Sequence, residues 1–401
     1  MNVQQIYELV NTVTTEVTGN NGLVTEDLSN VVDVGNEVFD NSLVDNYVKS
    51  LMNHIGRVVF VNRPYEGSAP SVLRDAWEYG SVLQKIDADM PVATENPSWE
   101  LVSGNTYDPN TFTAPTFLQK FYNSKTTFEI PMSFTERQIK ESFSNAQQLN
   151  AFISMIESTI YKSLTVKTDA LIMRTINNMT ANTIADAFPP DSGGYDEGPG
   201  NSRAVNLLYL YNEMYPNNQI HDASLAIKEP RFIRFAAYTM KLTAERMKKV
   251  SQIFNVGGRD RFTPSSMLHI ILLNDFAAAA DVYEQSDTFH DTFTALPTAE
   301  RVPFWQGPGS ALGENPFSFD KVSTINVSPS GHNGDDIVIT PGILGVMFDH
   351  DALGVCNFEQ RVTTNYNPRG EFYNNWYKQD SMYFNDLNEN FVVFYAADNR
   401  S

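Results

Sequence analysis

Apolar residues at Val3, Ile6, Tyr7, Val10, Val13 and Val17 recur every three or four positions, which predicts a helix over 3–17. A second helical pattern covers about 36–54, and Gly56 to Val61 (Gly-Arg-Val-Val-Phe-Val) reads as a strand. Residues 62–130 then change character. Pro64, Gly67, Pro70, Pro91, Pro97, Pro109 and Pro115 forbid a long helix, yet Tyr65, Trp77, Tyr79, Trp99, Tyr107, Phe112 and Phe117 keep aromatics recurring. An extended segment of this length is uncommon inside a compact domain. Two readings stay open: an arm that buries its aromatics on another subunit, or a meander of short strands within one monomer.

From Ser133 the helical period returns. Phe134 to Phe143 predicts a short helix, followed by Leu149, Phe152, Ile153, Ile156, Ile160, Leu164, Leu171 and Ile176 within Asn145–Asn182. No Pro or Gly interrupts that run, so at 1.5 Å per residue it reaches roughly 50 Å. The positions keep no strict heptad, which favours a spine helix with a core on one side over a coiled coil. Residues 189–203 are a Pro/Gly-rich exposed loop. Helices are predicted over Arg203–Tyr215, Pro230–Phe254 and Phe276–Gln285, with a buried strand at Met267–Leu273. Loops fill 297–342 before Ile343–Phe348 enters a terminal sheet. There Phe358 to Tyr366 turns through Asn367-Pro-Arg-Gly370 into an aromatic strand ending at Tyr377, and Phe391–Tyr395 adds one more strand. Asn, Pro and Gly at the first, second and fourth places suit a type I turn, with Gly relieving the exit. Mixed rather than alternating elements give α+β rather than doubly wound α/β.

Composition narrows the partners. The 401 residues carry 28 Lys and Arg against 48 Asp and Glu, a formal charge of −20. That balance opposes tight binding to a phosphate backbone or an anionic membrane. No cation precedes Lys49, whereas Glu8, Glu16, Glu26, Asp27, Asp33, Glu37, Asp40 and Asp45 do. This acidic stretch is either a solvated face or an arm that docks on a basic partner or neighbouring subunit. The lone Cys356 lies in an apolar run and is expected to be a buried small residue. Met1-Asn-Val-Gln-Gln lacks the basic and apolar regions of a signal peptide, and apolar runs such as Leu268–Leu273 are too short to span a bilayer. A soluble protein made in a reducing compartment is expected, uncleaved at its N-terminus, with both chain ends held down by neighbouring subunits.

Candidate chemistry is sparse. Gly307-Pro-Gly309-Ser-Ala-Leu-Gly313 has the wrong spacing for a dinucleotide fingerprint, and Pro308 removes a donor that a phosphate needs. No Walker-type Gly-Lys-Ser/Thr, Gly-x-Ser-x-Gly or His-Glu-x-x-His occurs. Asp349-His350-Asp351 is the best metal-like cluster, but strand neighbours point to opposite faces, so a solvated strand end is expected. His290-Asp291 lacks a nucleophile, and Asp335-Asp336 reads as a turn. No catalytic, cofactor-binding or metal-ligating residue is selected, and no enzyme activity is expected.

Three stretches carry a resemblance: Asp45 to Val59, a helix feeding the extended arm; Phe143 with Asn150 to Tyr161, the start of the spine helix; and Asn367-Pro-Arg-Gly370 with its aromatic strand. Together they resemble the major capsid proteins of tailed bacteriophages, with the Hong Kong phage-type capsid fold, and most nearly those of small short-tailed phages of Gram-positive hosts. The resemblance implies an N-terminal arm and first strand (1–61), an extended loop and return strands (62–130), a peripheral-domain spine helix (131–199), an axial α/β domain (200–345) and peripheral-domain terminal strands with an antiparallel sheet (346–401). It implies an extended loop, within about 62–90, lying over the neighbouring subunit. It further implies pentamers and hexamers of an icosahedral head in the virion, made in the host bacterial cytoplasm around double-stranded DNA. Scaffold, portal and decoration proteins would be partners, with no membrane and only weak, non-specific contact to packaged DNA. Some relatives weld subunits through a Lys–Asn bond; the loop offers only Lys85 and no Asn–acid pair stands out, so no cross-link is expected. An immunoglobulin-like extension and a cleaved scaffold segment, present in some relatives, are not expected either. An encapsulin-like nanocompartment shell shares this fold and is the near alternative; an enzyme or binding module without a recognisable motif is the distant one.

Overall fold

The computed structural model describes residues 3–20, 24–40, 43–61, 69–74, 83–88, 93, 95, 100–106, 110, 112, 114, 116–188, 194–285, 296–306, 318–328 and 338–397. In chain order the first elements are α1 (Val3–Thr18), α2 (Val31–Asp40), α3 (Val44–Val61), β1 (Leu73–Arg74), β2 (Leu83–Ala88), β3 (Phe117–Tyr122) and β4 (Lys125–Thr135). Next come α4 (Glu136–Ser142), α5 (Ala146–Ala187), β5 (Ala204–Asn206), α6 (Leu207–Met214), α7 (Ala223–Ala226), α8 (Pro230–Met247), β6 (Leu268–Leu273), α9 (Asn274–Gln285) and β7 (Glu300–Val302). The last are α10 (Phe319–Ser323), β8 (Ile325–Val327), β9 (Val338–Thr340), β10 (Ile343–Asp349), β11 (Leu353–Asn367), β12 (Phe372–Asn385) and β13 (Phe391–Tyr395). The chain is a mixture of helix and sheet and divides into two compact units. One holds residues 1–78, 125–172 and 355–383; the other holds 79–124, 173–354 and 384–401.

In the first unit, α1, α2 and α3 turn their apolar stripes onto one core with the first half of α5. Val10, Val13, Val48, Leu51, Ile55, Ile153, Ile156 and Ile160 are fully buried there. Tyr47 and Phe143 meet edge to face at 5.7 Å, as do Phe134 and Phe152 at 5.2 Å. The predicted 36–54 helix is in fact two helices, α2 and α3. The expected strand at Gly56–Val61 is the last part of α3. The stripe of Tyr47, Val48, Leu51, Met52 and Ile55 propagates the helix, and Gly56 opposes it by only about 1 kcal/mol. Helix α4 begins at a capping box: Thr135 Oγ1 accepts from Gln138 N and the Gln138 side chain from Thr135 N.

The sheet of this unit runs β1-β11-β12-β4. Strands β12 and β4 pair antiparallel from Phe372↔Thr135 to Met382↔Lys125. Pro131 is tolerated because β4 is an edge strand. In the β11–β12 turn, Asn367 Oδ1 accepts from Arg369 N and Gly370 N at 3.0 and 3.2 Å. The positive φ of 49° falls on Glu371 and not on Gly370. Gly370 is needed for room: a Cβ there would stand 2.5 Å from the Phe372 ring.

The second unit holds a five-stranded mixed sheet, β5-β13-β10-β6-β7. All seven residues of β10 and all five of β13 are buried, as central strands covered on both faces require. Strand β13 thus pairs with β10 and β5, not with the β11–β12 hairpin that the sequence places beside it. Likewise Ile343–Phe348 lies in this sheet, beside β6. The helix expected from Arg203 starts only at Leu207, because Ala204–Asn206 pair with β13 and Asn206 caps α6 through Tyr209 N. Helix α8 stops at Met247, short of Phe254, where Ser251 pairs with Arg261. Trp305 is buried, donating Nε1 to Ile343 O at 2.8 Å while its carbonyl accepts from Asn177 Nδ2 at 2.6 Å.

A charged anchor beneath an apolar ribbon

Within the second unit, β2 and β3 pair antiparallel from Leu83↔Tyr122 to Ala88↔Phe117. Alternation along the two strands sorts their side chains. The inner face carries Lys85, Asp87, Leu118, Lys120 and Tyr122, all half-buried; the outer face carries Gln84, Ile86, Ala88, Phe117, Gln119 and Phe121, all exposed. This order is inverted relative to an ordinary half-buried ribbon, which turns its apolar side inward. Ile86 and Phe117 are each 64% exposed and Phe121 61%.

The inner face docks by charge. Lys85 Nζ reaches Asp386 Oδ2 at 2.8 Å and Glu389 Oε1 at 2.6 Å, and Lys120 Nζ reaches Asp386 Oδ1 at 2.6 Å. Arg261 pairs with Asp87 of the ribbon and, through Nε at 3.2 Å, with Glu389. Tyr122 packs at 5.4 Å from the Phe384 ring. The loop bearing the two acids is held by hydrogen bonds that do not involve the ribbon. Asp386 N donates to Ala352 O, Asn388 N to Asp386 Oδ1, Leu387 O accepts from Gly257 N, and Asn390 Nδ2 donates to Thr263 Oγ1.

The two acids titrate in opposite directions. Burial alone would raise the Asp386 carboxyl, but the attraction of Lys85 and Lys120 outweighs it and holds the group below the ordinary aspartate range. For Glu389 burial wins over Lys85 and Arg261, and its carboxyl is pushed up. Burial would lower the Lys85 ammonium, yet Asp386 and Glu389 hold it higher than usual. Burial, then the charges of Asp386 and Glu389, raises the Tyr122 phenol.

Of the sequence candidates, Asp349 is buried rather than solvated, and its carboxylate accepts from Asp351 N at 2.9 Å. Burial pushes that carboxyl up. His350 lies ring to ring with His269 of β6, nitrogen to nitrogen at 3.0 Å, a pairing that only the β6–β10 register discloses. Cys356 is buried. The Gly307–Gly313 run, His290-Asp291 and Asp335-Asp336 lie outside the described residues. In the first unit an open groove of about 640 Å³ is lined by Phe134, Gln138, Glu141, Ser144, Gln148 and Phe152 among others; its lining holds one carboxylate and no His, Cys or Lys. Among the described residues no group of three or more His, Cys, Asp or Glu is placed to hold a metal ion, and no helix is long and apolar enough to cross a membrane. Sequence reading missed Lys120, Arg261, Asp386 and Glu389 altogether. Asp386 and Glu389 sit in an Asn/Asp-rich stretch that looks like a turn, some 300 residues from Lys85.

This arrangement tethers the ribbon by charge and leaves its three large apolar side chains exposed. The chain belongs to the Phi29-like phage major capsid protein family, whose model matches residues 10–395. It is 24% identical over 177 residues to the major capsid protein of Bacillus phage GA-1, a match covering 41% of this chain and 35% of that relative; the chain thus spans about a third of the length of the curated relative it matches. Among solved structures, the capsid of Staphylococcus phage Andhra overlaps with a TM-score of 0.48 at 10% identity, covering 81% of this chain and 83% of the other. The capsid of cyanophage P-SCSP1u gives 0.41 at 10% identity, covering 82% and 87%.

Proposed function

We propose that many copies of this chain assemble into the icosahedral head of a tailed phage, enclosing double-stranded DNA. The observation that carries this reading is the inverted ribbon. Its charged side is already satisfied on its own chain, and its apolar side is left for another molecule to cover. Removing Ile86, Phe117 and Phe121 from water is worth roughly 4–5 kcal/mol per ribbon at their present exposure. In a closed shell that gain repeats at every subunit contact.

In this reading the fold is of the Hong Kong phage type. The β2–β3 ribbon belongs to the extended loop of a neighbour-spanning arm, the first unit's helices and hairpin to the peripheral domain, and the five-stranded sheet to the axial domain. Pentamers and hexamers form the shell, with scaffold and portal proteins as partners in building it. A chain of this family with no selected catalytic residue has a structural role. The test is a triple variant, Ile86→Thr/Phe117→Thr/Phe121→Thr, expressed with and without its neighbouring gene products. The variant keeps the wild-type circular dichroism and forms no closed particles by negative-stain microscopy. Wild-type particle yield from the variant would overturn the role of the ribbon, and failure of the wild type to form particles under either condition would overturn the shell itself.

A further inference from the structure

One helix runs against the charge of the whole molecule. Residues 230–249, helix α8 and its C-terminal cap, carry Arg231, Arg234, Lys241, Arg246, Lys248 and Lys249 against the single acid Glu245, in a chain of net charge −20. The apolar residues of α8 account for its buried side: Phe232, Ile233, Ala236, Ala237, Met240 and Met247 are in the core. Arg231, Lys241, Arg246 and Lys249 are exposed, with the exposed ring of Tyr238 among them. Lys248 neutralises Glu245 by an ion pair one helical turn away. Among the described residues no carboxylate pairs with Lys241, Arg246 or Lys249. At 100° per residue Arg231, Lys241 and Arg246 span about 140° of α8, with Arg231 between the other two, and Lys249 follows just past the helix end.

We propose that this face of α8 is a phosphate-binding surface for duplex DNA. The inference rests on the reading of the chain as the wall of a DNA-filled head. From Arg231 to Arg246 the stripe is roughly 22 Å long, a length over which a duplex presents about 13 phosphates. Arg231, Lys241 and Arg246 on α8, with Lys249 just past its end, match that linear array, and no Asn or Gln lies within residues 230–249 to read base edges beside them. The contact is therefore weak, independent of sequence and strongly dependent on salt. The surrounding negative charge limits it to this stripe and keeps packed DNA from adhering to the rest of the wall.

The test uses the full-length unassembled protein and two unrelated 30-base-pair duplexes, followed by fluorescence anisotropy between 50 and 200 mM salt. Four phosphate contacts predict a fall in affinity of about 150-fold over that range, and the double variant Lys241→Gln/Lys249→Gln, with two contacts, a fall of only about 12-fold from a weaker start. Lys162→Gln/Lys167→Gln, the same charge change on exposed positions of α5, leaves the wild-type curve unchanged. No binding by the wild type, equal loss in both double variants, or a clear preference for one duplex would overturn the proposal. So would loss of particle formation by Lys241→Gln/Lys249→Gln with DNA binding intact, which would assign the stripe to a second copy of the chain. Particle formation by the wild type is scored separately, so failure of the shell reading is distinguishable from failure of DNA binding.

Discussion

Replacing Asp386 by Asn isolates the charge that holds the ribbon down. Its carboxylate is almost wholly buried and accepts from two ammonium groups, Lys85 at 2.8 Å and Lys120 at 2.6 Å. Breaking a buried ion pair by removing one partner costs about 3–5 kcal/mol. Both lysines retain roughly a quarter of their exposure, and Lys85 keeps Glu389, so the anchoring loss is put at about 2–3 kcal/mol. At 1.4 kcal/mol per factor of ten, the ribbon opens about 30- to 140-fold more often. Acylation of lysine amines, read peptide by peptide by mass spectrometry on the unassembled protein, reports this opening at Lys85 and Lys120. Lys162, exposed on α5, serves as the internal reference. In the wild type both ribbon lysines react more slowly than Lys162, and in Asp386→Asn they accelerate at least about tenfold while Lys162 does not change. Equal rates for all three lysines in the wild type, or unchanged rates in the variant, would refute the anchoring role.

Glu389→Gln separates the two acids by sign. Because the folded-state Glu389 carboxyl is raised above 4.5, its ionised form disfavours folding, and stability at this group is regained as pH falls through that raised value. The Asp386 carboxyl is held below 3.8, so its contribution is present above that pH and is lost as pH falls through its folded value. At pH 7 Glu389→Gln is thus neutral or stabilising in thermal unfolding while Asp386→Asn lowers Tm, and a matching drop in both would contradict the assignment. Gly342→Ala, at φ +78° with a Cβ 2.1 Å from Ala396 O, costs about 3 kcal/mol or more; a Tm within 1 °C or so of wild type would show that the turn relaxes freely. Trp305→Phe leaves Ile343 O without its donor and lowers stability by about 1–3 kcal/mol, measured as a shift in the urea midpoint at constant slope.

Helix faces were the most legible part of the sequence. The spacings that predict α1, α4, α5 and α9 are present because each buries one stripe, and the short-range rule sees a stripe directly. Fifteen residues of α5 beyond Ile172 are buried nearly all round, which blurs the period there without ending the helix. The run at 57–61 continues the helix that the stripe before it begins, whereas Ala204–Asn206 is decided by its pairing with β13. The partition of the terminal strands was readable in one respect only. Strand β12 alternates while β13 is continuously apolar, the difference between a half-covered and a fully covered strand. The anchor was out of reach because its partners are distant in sequence and lie in a stretch that turn statistics explain equally well. The ribbon's inverted face could have been seen earlier: Ile86, Phe117 and Phe121 alternate with Lys85 and Lys120, but only the β2–β3 register shows that the apolar set shares one side.

Electron cryomicroscopy of the assembled particle, at a resolution that shows side chains, bears most directly on whether copies complete one another. The Phe117 and Phe121 rings should there lie within about 4 Å of side chains from an adjoining subunit. A particle in which both rings face bulk water would mean that the ribbon joins nothing.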